Sequence, residues 1–496
     1  MPTRSVHALV LVALVVAFVV HAAAYREWVE DDAYISLRYA QNLVAGEGLV
    51  FNPGERVEAY SNLGWVLLGA AAIGVGVDPV VALQVLGVLA GVACLLLAWR
   101  MARALGDGAE WSALLAPAWL AVAPWLARHA VSGLETVAYA AALLAAVHWT
   151  WIAERDRPWL RGGALVLLVV LRPEGIALAA ACLAARWWRT RSIDAVAGAW
   201  AAIVIGLLAA RWLYYGEFVP NTFHFKMTGG RDAWIAGVHH TLDAFRQGQG
   251  IVLAVGVAAL FARGAVRPAL GFVAAIFVLQ AAIVVRAGGD WMHHYRFWTP
   301  LLPIAAAFAA AGAGEIARSL ERAGRHAAAM PVVVTIFALA AINLAKVERQ
   351  TWRAVMPFVQ TDRYLSQGYA RVGDWLARNT PADVTVAVAD VGAVAYFSGR
   401  HVIDTFGLTD PHIARTPGAL HHKSDVEYVL ERAPDLVVLI ATEGAQERYR
   451  RIPDRELAAA PEFDATYARV HEIPIGFQGE VAEIYERIEE GDGGTR

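Results

Sequence analysis

Long apolar stretches dominate the first 345 residues. Residues 5–24 contain no Asp, Glu, Lys or Arg, and about 20 such residues suffice for a helix to cross a bilayer. Further apolar runs occupy 62–77, 79–99, 111–127, 136–153, 160–185, 193–215, 249–262, 268–287, 299–315 and 327–345. The pattern predicts a polytopic α-helical membrane protein with about 10–12 transmembrane helices. The first run is longer than the apolar core of about 7–15 residues typical of a cleaved signal, and more runs follow it. It is therefore expected to be a retained span.

Basic residues mark cytoplasmic loops. They follow one run at Arg186, Arg189 and Arg191, separate two others at Arg263 and Arg267, and precede the last at Arg318, Arg322 and Arg325. With those loops inside, 216–248, 287–298 and everything after about 346 lie outside. In the first half, 25–61 and 128–135 are also expected outside, yet Arg100 and Arg103 look cytoplasmic. Three runs cannot meet all of these demands, so one short run, 62–77, is expected not to cross fully.

The run 160–185 carries Arg172-Pro173-Glu174-Gly175 at its centre. A straight helix would put two charges at the bilayer midplane, at about 2.5–3.5 kcal/mol each. Pro and Gly predict instead a break, or a hairpin whose tip sits in a protein-lined cavity. The plainer alternative is an Arg–Glu pair that staples two helices.

Beyond residue 345 the periodicity changes. After a linker at 346–370, residues 371–496 predict an extracytoplasmic α/β domain. Its elements are a helix at 367–379 ended by Pro381, a strand Val384–Ala389, a turn at Asp390-Val391-Gly392 and a strand His401–Thr405. A helix at 424–432, a strand Leu436–Ile440 and alternating strands near 466–474 and 481–488 follow. Asp390 with Gly392 resembles a ligand-binding position at a strand end, although capping or turn formation explains it as well. The domain is expected to bind acceptor glycan.

Composition supports this division. The chain is 58% hydrophobic and 18% charged, with a mean hydropathy of +0.44, against about 45–50% and about 25% in soluble domains. A net charge of −3 without a long basic stripe argues against a nucleic-acid partner. Cys94 and Cys182 both lie in apolar runs, so the tail has neither a disulfide framework nor a cysteine zinc site.

The first polar loop, 25–61, is the most informative segment. Ala33, Leu37, Ala40 and Val44 form one apolar face of an interfacial helix over 32–45, while Asp31, Tyr34 and Arg38 gather on another. Asp31-Asp32 suits helix capping as well as catalysis. Four other outer segments have a polar, aromatic and charged mix: Ser132–Glu135, Arg172–Gly175, Pro220–Lys226 and Gly288–Arg296. Trp291, Tyr295 and Trp298 also suit an interfacial aromatic belt. His293-His294 is not a metal signature, because adjacent side chains diverge.

Taken together, these segments resemble a family. Asp31-Asp32-Ala33-Tyr34-Ile35, Arg38-Tyr39-Ala40 and 52–62 (NPGERVEAYSN) resemble the opening of a family of GT-C-fold membrane glycosyltransferases, whose members include the terminal arabinofuranosyltransferase of mycobacterial cell-wall assembly. SGLET (132–136), RPEG (172–175), PNTFHFK (220–226), GGDWMHHYRF (288–297) and ADVGAVAYFSGRHVIDTFGLTD (389–410) continue it in one order. Glu174 stands where the family pattern has Asp, and the His293-His294-Tyr295 triplet is a local variation.

The resemblance implies a GT-C-like bundle in the plasma membrane that takes a sugar, such as the pentose arabinofuranose, from a polyprenyl-phosphate donor. Transfer would be to a cell-envelope glycan at the outer face, with inversion. Under that implication Asp31 or Asp32 takes the acceptor proton, and Arg172, Lys226 and Arg296 hold the donor phosphate. Arg38, Glu58, Tyr60, Asn62, Glu135, Glu174, Asn221, Asp290, His293 and His294 are the candidate sugar and acceptor contacts. No cofactor is required; a divalent metal at the acidic pair is compatible but not demanded. A lipid or glycolipid flippase is the alternative for so polytopic a chain, but the sequence shows no inverted repeat of broken helices.

Overall fold

The computed structural model describes residues 2–106, 110–153, 155–227, 230–249, 267–290, 292–361, 364–418 and 422–488. Nearly all of the expected run 249–262, together with Arg263 and Trp291, lies outside the described residues. Six described helices are long and apolar enough to cross a membrane: Ser5–Ala23, Pro79–Leu105, Ala195–Tyr215, Pro268–Arg286, Thr299–Arg322 and His326–Ala354. The chain is thus an integral membrane protein. Four shorter apolar helices, Leu63–Gly74, Trp111–Ala121, Thr136–Ile152 and Pro158–Leu171, pack among them. Leu63–Gly74 has 12 residues and reaches only about 18 Å, well short of a bilayer core. Thr299–Arg322 is buried at every residue from Thr299 to Glu315, so it forms the centre of the bundle.

The Arg172-Pro173-Glu174 segment breaks its run between helices Pro158–Leu171 and Gly175–Thr190. The reversal is sharp. A Cβ at residue 175 would run into the backbone of Leu168, so only glycine allows the second leg to start there. At the tip Arg172 is buried and pairs with Glu135 and Glu174.

The last long helix runs on to Ala354, and the next long one starts at Leu365. Within 346–370, residues up to Ala354, Met356–Val359 and those from Leu365 on are therefore helical. No glycine or proline interrupts the chain between Pro331 and Pro357, so the helix continues past its apolar part.

The C-terminal domain is a five-stranded sheet. Its strands are β1 (Thr385–Val388), β2 (His401–Asp404), β3 (Leu436–Thr442), β4 (Tyr467–Pro474) and β5 (Glu480–Arg487), in the order β2-β1-β3-β5-β4. β1 pairs in parallel with β2 and β3, whereas β5 is antiparallel to β3 and β4. β3 is buried at every residue, as a central strand covered on both faces must be.

One element departs from expectation. The segment read as a turn at 390–392 opens a helix, Val391–Ser398. Its sequence, VGAVAYFS, has no polar stripe because the helix is covered on several sides. It packs on the Leu365–Asn379 helix and on the Asp31–Val44 helix of the first polar loop. That second contact locks the C-terminal domain onto the bundle.

Candidate active site

The Asp31–Val44 helix carries its two carboxylates in its first turn, where the helix dipole favours negative charge. Successive residues project about 100° apart on a helix, so the two side chains part. Asp31 faces the C-terminal domain, where its carboxylate accepts from the backbone amides of Gly392 (3.0 Å) and Ala393 (2.8 Å). Burial and the nearby Asp390 carboxylate push Asp31 up to about 8. Asp32 faces the bundle, and its Oδ2 lies 3.3 Å from Nη1 of Arg296. Its side chain is 31% exposed. Burial raises its pKa against the opposing pull of Arg296 and Lys226.

Around Asp32 the structure gathers charges from four separate segments. Glu135, fully buried, receives Nη2 of Arg296 at 3.6 Å and Nε of Arg172 at 3.4 Å. Arg172 also meets Glu174 at 3.0 Å. Asn62 donates to the other Glu135 oxygen at 2.8 Å and accepts from Ser36 at 3.0 Å. Burial opposes ionisation of Glu135, but Arg296 and Arg172 outweigh it and hold the carboxyl below its ordinary range.

Three cations converge on one aromatic ring. The Arg172 guanidinium lies 4.9 Å, the Lys226 ammonium 5.2 Å and the Arg296 guanidinium 5.8 Å from the centroid of Phe297. Burial and the adjacent Arg296 lower the Lys226 pKa. Nη1 of Arg172 and Nε of Arg296 are buried donors without a hydrogen-bond acceptor among the described residues. Such groups are costly unless something accepts from them, and an anion with several oxygens would.

Asp290 influences the pKa of both Lys226 and Arg296, and one of its oxygens lacks a protein donor among the described residues. It also lines a 360 Å³ cavity with His240, His293, His294, Gln350 and Thr351. His294 hydrogen-bonds Thr351 at 2.9 Å, and both His293 and His294 pack against Trp28. Burial and Arg128 keep both imidazoles below their ordinary pKa. Glu58 and Tyr60 face elsewhere, into a mostly apolar cavity of 340 Å³ lined also by Pro173 and Arg211. Glu58 pairs with Arg211 at 2.5 Å, and Tyr60 with Tyr215 at 3.2 Å.

Two of the expected sugar contacts, Arg38 and Asn221, meet backbone of the C-terminal domain. Arg38 donates to the carbonyls of Gly399 and Arg400 at 3.3 Å. Asn221 donates to those of Gly407, Leu408 and Asp410 at 2.9–3.3 Å. Arg38 is seven residues from Asp31, two helical turns on, so it shares the docking face.

Sequence reasoning missed Glu30 and Arg128, which form an ion pair with both side chains almost fully buried. The Arg128 guanidinium also lies 4.0 Å over the ring of Trp28. A single charge inside the apolar segment LARHAV was the available signal. Among the described residues, no group of three or more His, Cys, Asp or Glu stands together as metal ligands.

ArnT from Cupriavidus metallidurans, solved bound to undecaprenyl phosphate, superposes with a TM-score of 0.59 at 14% identity, covering 96% of this chain and 97% of ArnT. The Archaeoglobus fulgidus oligosaccharyltransferase in its apo form gives a TM-score of 0.54 at 14% identity, over 87% of this chain and 69% of that one. The fold is the GT-C fold.

Sequence similarity points the same way. A terminal beta-(1->2)-arabinofuranosyltransferase of Mycobacterium tuberculosis is 32% identical over 327 residues, 56% of this chain and 51% of that protein. The protein of the same name from Corynebacterium glutamicum is 55% identical over 40 residues, 8% of this chain and 6% of its own. The chain thus spans about half the length of the Mycobacterium relative and a small part of the other. Residues 358–486 match a family described as a domain of unknown function, DUF8728; the match starts just after the long Ala354-ending helix and includes all of the sheet except Arg487, the last residue of β5.

Proposed function

We propose that the protein is a membrane glycosyltransferase that moves a sugar, such as arabinofuranose, from a polyprenyl phosphate to a cell-envelope glycan on the outer side of the plasma membrane. The observation that carries this reading is the convergence of Arg172, Lys226 and Arg296 on Phe297, with the Asp32 carboxylate 3.3 Å from Arg296. The similarity to arabinofuranosyltransferases and the GT-C fold support it.

In this mechanism Asp32 accepts the proton of the acceptor hydroxyl as its oxygen attacks the anomeric carbon. The bond from that carbon to the phosphate oxygen breaks with its electron pair, and polyprenyl phosphate departs. The three cations take up the negative charge that accumulates on it. Attack from the face opposite the leaving group inverts the anomeric carbon. In this reading Asp290 and Glu174 bind sugar hydroxyls, while Glu135, itself hydrogen-bonded by Asn62, holds the two guanidinium groups. The 340 Å³ cavity behind Pro173 is mostly apolar and suits the lipid chain beside the phosphate.

The test incubates the purified, membrane-reconstituted protein with a panel of polyprenyl-phosphate sugars and an envelope glycan acceptor. Release of polyprenyl phosphate together with glycosylated acceptor is expected for one donor. Movement of intact donor between leaflets without its cleavage would instead identify a flippase.

A further inference from the structure

The Val391–Ser398 helix of the C-terminal domain meets a polar side chain of the first polar loop at each end. At its start, Asp31 accepts from the amides of Gly392 and Ala393. At its finish, Arg38 donates to the carbonyls of Gly399 and Arg400. Asp31 and Arg38 are separated by about 10.5 Å along their helix at 1.5 Å per residue. The eight-residue partner helix is about 12 Å long, so the pair spans it. Acceptor oxygens at the amide end and a guanidinium at the carbonyl end satisfy backbone groups that a helix leaves unpaired at its termini.

Two details show that this contact is built in. A Cβ at residue 392 would collide with the backbone oxygen and carboxylate of Asp31, so the close approach needs glycine there. Asp390, which would ordinarily cap this helix, makes no capping bond and is held instead by Tyr369 (3.0 Å) and Arg451. The vacated amides lie where β1 ends, between β2 and β3, the position at which open α/β sheets hold ligands. Here the chain's own carboxylate fills it.

We propose that Asp31 is a positioning residue: seated in the amides of the Val391–Ser398 helix, with Arg38 at its far end, it lets the C-terminal domain fix the roll of the Asp31–Val44 helix and so the placement of the Asp32 carboxylate. Asp32 is the next residue, about 100° round the helix, and a small roll would take it from its 3.3 Å contact with Arg296. A misplacement of about 1 Å can cost on the order of 100-fold in rate. Only the kinetic arm of the test rests on the glycosyltransferase reading.

The experiment compares Asp31→Ala, Gly392→Ala and the double variant in the reconstituted full chain. It measures kcat, KM for the lipid donor, and hydrogen exchange at the amides of Gly392 and Ala393. Each single variant is expected to lower kcat by about 10- to 100-fold, leave donor KM within about threefold, and speed exchange at both amides. The double variant is expected to lose no more than the worse single one, because both break the same contact. Asp31→Asn, which keeps one acceptor oxygen, is expected to fall between wild type and alanine, and it stands in if the alanine variants do not fold. Unchanged kcat in Gly392→Ala, multiplicative losses in the double variant, or unchanged amide exchange in Asp31→Ala would each overturn the proposal. If wild type transfers no sugar, the mechanism falls, and amide exchange alone decides whether the contact forms.

Discussion

Replacing Asp32 by asparagine preserves the volume of the side chain and removes one negative charge. The cluster holds four carboxylates (Asp32, Glu135, Glu174 and Asp290) and three cations (Arg172, Lys226 and Arg296), a formal sum of −1 that the substitution brings to 0. Arg296 keeps Glu135 at 3.6 Å, so no buried guanidinium is left without a carboxylate. The cost in stability is therefore expected to stay near 1 kcal/mol, as for a partly exposed pair. Loss of a general base typically costs about 100- to 10,000-fold, or about 2.7–5.4 kcal/mol at 1.36 kcal/mol per decade. Donor affinity is expected to hold or tighten, because the phosphate meets less negative charge. The assay is polyprenyl phosphate release under saturating donor and acceptor, with donor binding measured separately. A kcat within tenfold of wild type, or a fall in donor affinity matching the fall in kcat, would refute the base assignment.

Arg172→Ala and Lys226→Ala are each expected to weaken donor binding by about 10- to 100-fold, the worth of a charge-assisted hydrogen bond of about 1.5–3 kcal/mol; unchanged binding in both would remove the phosphate site. Gly175→Ala is expected to cost about 1–3 kcal/mol by pressing a Cβ into the Leu168 backbone, read as a lowered thermal midpoint. Gly163→Ala, with open space around it, is expected to be neutral or stabilising by up to about 1 kcal/mol. Glu55 is held at about 2 by His401, against burial, with help from Asn52. Its folded pKa lies below the unfolded value of 4.5, so its contribution is full above that pH and lost as pH falls toward 2. For a group about one-third exposed this amounts to about 1 kcal/mol after screening. The thermal midpoint of wild type is expected to exceed that of Glu55→Gln at pH 6 and to meet it near pH 2, and a gap independent of pH would refute the assignment.

Much of the architecture follows from local pattern. The apolar face at Ala33, Leu37, Ala40 and Val44 marks the Asp31–Val44 helix, and the alternating and apolar segments after residue 384 mark all five strands. The break at Arg172–Glu174 follows from the cost of charge inside a bilayer. The Val391–Ser398 helix escaped because its burial on several sides erases the periodicity that would have marked it.

The candidate site was legible as a set of residues but not as an arrangement. Asp32, Glu135, Arg172, Lys226, Asp290 and Arg296 come from segments up to 264 positions apart, and nothing local says that they meet. Nor could composition separate Asp31 from Asp32, or show that Arg38 and Asn221 grip backbone of the C-terminal domain. Periodicity determines which side chains share a face of a helix. Which face meets the charged cavity and which meets another domain depends on how distant segments pack, and only the tertiary structure decides that.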